Sequence, residues 1–139
     1  MATTRRATAQ WHGSLMEGSG EVTLASSGIG TYPVSWPARS AEPNGVTSPE
    51  ELIAAAHATC FAMAFSNGLA KAGTPATVLN TSAEVDFVPG TGITEIRRTV
   101  SGDVPGLDAE GFAAAAAGAK ENCPVSQALK AVPITLVVE

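Results

Sequence analysis

The stretch LIAAAHATCFAMAF at residues 52–65 narrows the folds open to this chain more than any other segment. Leu52, Ile53, Ala56, Cys60, Phe61, Met63, Ala64, Phe65 and Leu69 leave almost no polar face on a helix. A helix that is apolar all round must be buried. In a chain of 139 residues, that requires wrapping by a sheet or by a second subunit, and it predicts an obligate dimer. The start of the helix is equally marked. In Thr47-Ser48-Pro49-Glu50-Glu51, Ser48 can cap, Pro49 suits the first helical position, and the glutamates suit the positive end of the dipole. Ser48 with Glu51 also reads as a capping box. The helix is predicted over residues 49–71, with Gly73 as its stop.

Around this helix the chain reads as strands. Alternation near Ala9 to Gly13, from Glu21 to Ser26 and over Tyr32 to Trp36 predicts three N-terminal strands within residues 7–36. Gly18 to Gly20 and Gly28 to Gly30 are their turns, and Pro33 marks an edge strand. Residues 37–46, rich in Pro, Asn and Gly, read as a loop. Two longer strands follow near 78–88 and 93–104, joined by Pro89-Gly90-Thr91-Gly92. Asp108 caps a second alanine-rich helix ending near Lys120, Asn122-Cys123-Pro124 opens a short helical segment, and residues 133–139 close as a strand. The order predicts an α+β fold and one domain over residues 1–139.

Composition removes several classes of function. A net charge of −5 and a pI near 4.9 argue against nucleic acid, which selects basic faces. No run of about 18 wholly apolar residues suggests a membrane span. MATTRRATAQW carries two arginines with no apolar stretch behind them, so no signal peptide is expected, and the reading defaults to the cytoplasm. There, two thiols are more often redox-active or metal-binding than a lasting staple.

Cys60 lies in a helix interior, where burial among alanines raises a thiol's pKa; a nucleophile there needs a cation brought to it. Its plain alternative is a small core residue. Cys123, between Asn122 and Pro124, falls at or beside an N-cap, where free N–H groups favour a thiolate. His57 shares a helical face with Cys60, so a metal site of His57, Cys60 and Cys123 is open, although the usual motif spacings are absent. Glu50 and Glu51 read most simply as helix-start charges, Arg39 as a solvated loop charge, and of Arg97 and Arg98 at least one faces solvent. Glu50 stands about 15 Å along the axis from Cys60, so the two cannot touch within one straight helix.

TSPEELIAAAHATCFAMAFS, followed by ENCPVSQALKA, resembles the OsmC/Ohr family of organic hydroperoxide reductases, with the AAHATCF and CPVSQALKA wording nearer its OsmC branch. The likeness runs through ITEIRRTVSGDVPGLDAEGF to the terminal strand. It implies an intertwined homodimer with antiparallel sheets around two long central helices. It implies that Cys60 is the peroxidatic cysteine, Cys123 the resolving one, Arg39 the activating arginine and Glu50 its partner. Given the helix geometry, a Glu50 that serves a Cys60 site comes from the partner chain. The implied activity is reduction of organic hydroperoxides in oxidative or osmotic stress, with an external dithiol such as a dihydrolipoyl group as reductant and no cofactor or metal. Two rivals make different predictions: a non-catalytic stress-induced binder of an apolar ligand keeps its thiols under peroxide, and a zinc protein is purified with its metal.

Overall fold

The computed structural model describes residues 1–139, which form two compact units, Met1–Pro49 and Glu50–Glu139. The first unit carries a three-stranded antiparallel sheet, ordered β1 (Thr8–His12), β2 (Ser19–Thr23), β3 (Thr31–Val34). Two sequence expectations shift here. The first turn falls on residues 13–18, because Gly13 takes a positive φ of 86° and the Gly18 N–H closes on Ser14 at 2.8 Å. Ser19 is thereby free to pair with His12 as the first residue of β2. The segment expected as a loop contains a short helix, α1 (Trp36–Ser40). Ser35 caps it, its hydroxyl accepting from the Ala38 N–H at 3.2 Å, and Pro37 sits in the first turn, where a missing N–H costs nothing. Pro33 lies on β3 at the sheet edge, as its lack of a donor dictates.

The second unit opens with α2, Pro49–Lys71, bounded as the sequence predicts, with Gly73 at φ 84° beyond its end. The hairpin of β4 (Val78–Val88) and β5 (Gly92–Asp103) follows, then α3 (Ala109–Asn122), α4 (Pro124–Ala128) and β6 (Ile134–Val138). Asp108 caps α3, accepting from the Gly111 N–H at 2.7 Å. The sheet order is β4-β5-β6. The β4–β5 pair is antiparallel, whereas β6 joins β5 in parallel, which the intervening helical crossover makes possible.

The core of this unit follows from two helical spacings meeting a strand spacing. His57, Phe61, Phe65 and Leu69, four apart, form the buried edge of α2; Phe112, Ala116 and Ala119 lead along α3 to Cys123; Val100 and Val104 come from β5. Phe65 stacks between Phe61 and Phe112 at centroid distances of 5.9 and 5.2 Å. On the opposite side, Ala55, Ala56, Thr59 and Met63 are exposed, Met63 at 68%. One chain therefore leaves one side of this largely apolar helix uncovered. By length and hydropathy alone α2 could cross a bilayer, but its buried edge packs as a core helix does.

Candidate active site

Alternation along β5 sends Ile96, Arg98 and Val100 to the core face and Arg97 to the other. Arg97 is met there by Asp86 in a bidentate pair at 2.7 Å, Glu84 at 3.2 Å and Glu95 at 3.1 Å. Arg98 lies wholly inside, its Cζ 4.8 Å from the Phe61 ring centroid. The expectation that one of the two faces solvent holds. What sequence reasoning missed is that the other is a buried cation at the candidate site.

Above Arg98 lies the junction of α3 and α4. Cys123 closes one helix and opens the other, with extended backbone at φ −71° and ψ 118° and Pro124 in the first turn of α4. Its sulfur is fully buried; Cys60, on α2, is half-buried. The two thiols are neighbours, each acting on the other's titration. The N–H groups of Val125 and Ser126 and the Ser126 hydroxyl also face the Cys123 sulfur, without closing a capping bond of standard geometry.

These surroundings separate the thiols. Burial pushes Cys60 above the usual thiol range, and the neighbouring Cys123 sulfur adds to that push. Burial works against the Cys123 thiolate as well, but the Ser126 hydroxyl and N–H, the Cys60 thiol and the Val125 N–H outweigh it, so its pKa is lowered. His57 is neutral, held at about 4 by burial and by the Arg98 charge, and its Nε2 is 2.8 Å from the Ser126 Oγ. It sits as a hydrogen-bonded core histidine, the alternative to a metal ligand.

The remaining candidates lie apart from the thiol pair or in the other unit. Glu50 is buried in the first turn of α2, ten residues before Cys60 on the same helix. Arg39 is in the last turn of α1, within the N-terminal unit.

A long helix, a hairpin and a helical joint thus define an α+β protein with a two-thiol site. Known proteins place it further. The family model described as OsmC-like protein matches residues 42–137. The peroxiredoxin OsmC of Escherichia coli K12 is 40% identical over 134 residues, covering 94% of this chain and 93% of that protein. An organic hydroperoxide resistance protein OsmC from Legionella pneumophila superposes with a TM-score of 0.76 at 25% identity, covering 99% of both chains. The organic hydroperoxide resistance protein OhrB of Bacillus subtilis shares the fold with a TM-score of 0.71 at 22% identity, over 96% of this chain and 98% of that one. The chain belongs to the OsmC-like protein family.

Proposed function

We propose that this chain is a thiol-dependent peroxidase that reduces organic hydroperoxides, and hydrogen peroxide less well, in stress defence in the cytoplasm, its two units acting as one OsmC-like domain. Kinship with a peroxiredoxin OsmC supports the hydroperoxide-related redox role. The observation that carries the finer reading is that a half-buried Cys60 and a fully buried Cys123 are neighbours close enough to act on each other's titration. The more accessible sulfur can meet a peroxide, and the enclosed one is its neighbour.

In this reading the Cys60 thiolate attacks the terminal peroxide oxygen, the O–O bond breaks, and the alkoxide leaves as an alcohol after taking up a proton. Cys60 becomes a sulfenic acid, which Cys123 condenses to a disulfide with loss of water. An external dithiol, such as a dihydrolipoyl group, restores both thiols by exchange. Because burial raises the Cys60 pKa, the first step needs a cation, and Arg39, held by Glu50, is assigned that part. Glu50 is 7% exposed, an environment in which a carboxylate is kept only by a partner. Since Glu50 stands about 15 Å from Cys60 along α2, it is assigned to the site of the other subunit in a homodimer. The bare face of α2 supports such an assembly.

The test is peroxide consumption by wild type, Cys60→Ser and Cys123→Ser, with mass spectrometry of the oxidised chains. Cys60→Ser should lose activity, and Cys123→Ser should accumulate sulfenic or over-oxidised Cys60. Equal turnover by Cys60→Ser overturns the assignment.

A further inference from the structure

Arg97 and Arg98 are neighbours on β5 with opposite surroundings. Arg97 has acid on every nitrogen: Asp86 on Nη1 and Nη2 at 2.7 Å, and Glu84 on Nε at 3.2 Å. Arg98 is 0% exposed and stays charged there, since a guanidinium does not shed its proton inside a protein. Only its Nη1 is bonded, donating to the Ser126 Oγ at 2.8 Å, while Nε and Nη2 have no hydrogen-bond partner. The ion pairs on β5 belong to Arg97, and no carboxylate pairs with Arg98. A buried cation with two idle donors and no counter-charge is strongly unfavourable.

The idle donors are not scattered. Nε and Nη2 stand on one edge of the planar group with their N–H bonds side by side, the fork that grips both oxygens of a carboxylate. Ser126 holds the group at Nη1, and the Phe61 ring lies 4.8 Å from Cζ, so the fork is fixed before any ligand arrives.

Arg98 also lines a cavity of about 460 Å³, a size that suits a small organic ligand. Lys120, in the last turn of α3, and Lys130, beyond α4, line it too, against a single carboxylate, Glu121. In a chain of net charge −5, three cations facing one carboxylate reverse the local sign. Glu121 is exposed, so water screens its charge. The wall beyond these charges is aliphatic, formed by Val132, Pro133 and Ile134 where the chain enters β6.

We propose that this cavity binds an aliphatic monocarboxylate. Its acid group is gripped by Nε and Nη2 of Arg98 within the field of Lys120 and Lys130, and its chain lies along Val132 to Ile134. The acid supplies the counter-charge that Arg98 lacks. An inorganic phosphate would meet the cations but leave the aliphatic wall uncovered, whereas an acid with a hydrocarbon chain meets both. Arg98 lies at the back of the cavity, out of reach of water, where a charge-assisted pair is strongest. The acid reaches it once the side chains of Lys120 and Lys130 turn aside, a fast rotamer change. No bond is made or broken, so the site stands apart from peroxide reduction.

The test is calorimetry of octanoate binding to the reduced wild-type protein, with no peroxide present. Octanoate should bind saturably and raise the thermal midpoint as its concentration rises. Octanamide, equally long but uncharged, should bind roughly tenfold more weakly or worse. Arg98→Met removes a cation that nothing pairs, so it should fold and should weaken octanoate binding by about tenfold or more. Arg98→Lys keeps the charge without the fork and should also lose most of the affinity. Absence of saturable binding, or equal binding of octanoate and octanamide, overturns the proposal, as does unchanged affinity in folded Arg98→Met. Should that variant fail to fold, unchanged affinity in Arg98→Lys overturns it instead. Inorganic phosphate binding more tightly than octanoate overturns the choice of a carboxylate. Peroxide consumption is measured separately, so failure of the peroxidase reading leaves each of these outcomes unchanged.

Discussion

His57 shows how one buried side chain can tie stability to pH. Its folded pKa is about 4 against 6.5 in the unfolded chain, because burial and Arg98 both oppose the imidazolium. Between those values the unfolded state binds a proton that the folded state refuses. Its contribution is therefore fully present above pH 6.5 and is lost as pH falls toward about 4. The loss amounts to roughly 3 kcal/mol over that window. Denaturant titrations at several pH values should show it, and His57→Gln should flatten the slope; identical slopes would refute the account. At this scale the sequence was only partly legible. ITEIRRTV placed Arg98 on the same face as Ile96 and Val100, an available sign of a buried charge, but alternation alone does not reveal which face is covered. The residues alone left Cys60 and Cys123 open between core, metal and redox roles, because contact between positions so far apart depends on the packing of α2 against α4.

At the scale of the element, α2 derives its hold from one edge. Phe65 is fully buried between two rings, so Phe65→Ala should destabilise the protein by about 3–5 kcal/mol in denaturant unfolding. A loss below about 1 kcal/mol would mean the site collapses around the gap. The bounds of α2, β4 and α3 were legible because local chemistry fixes them: Pro49 with two glutamates, the Pro-Gly turn, and the Asp108 cap. The short α1 was not, since its proline read as a loop marker while Ser35 made it a first-turn residue. The parallel docking of β6 was equally hidden, because pairing direction depends on where α3 and α4 carry the chain rather than on the strand's own residues.

For the molecule as a whole, the all-round apolar pattern of α2 exceeds what one chain can cover. Met63 is 68% exposed, and it lines with Ala62, Ala70 and Ala76 a groove of about 500 Å³ beside β4. If a second copy covers this face, Met63→Lys should weaken the assembly by at least tenfold in sedimentation-velocity dilution series, since an unpaired buried ammonium is strongly disfavoured. An unchanged dimer, or a wild-type monomer at micromolar concentration, would rule this out. The fold class was visible from the order of strands and helices. The incomplete cover of α2 was visible too, as a helix too apolar for the chain around it.

Cys123 is one residue shared by two helices, and this makes the joint a mechanical knee. When a bond draws its sulfur onto Cys60, α2, a continuous helix of 23 residues, has no pivot at which to give. The adjustment must then fall on the knee and on the single turn of α4 beyond it, where the Gln127 and Leu129 amides close onto Cys123 and Val125. Oxidation should hasten amide hydrogen exchange there while leaving α2 unchanged, as hydrogen-exchange mass spectrometry of the two redox forms would show. An external reductant could thus recognise the spent protein by a loosened turn, with no change elsewhere on its surface.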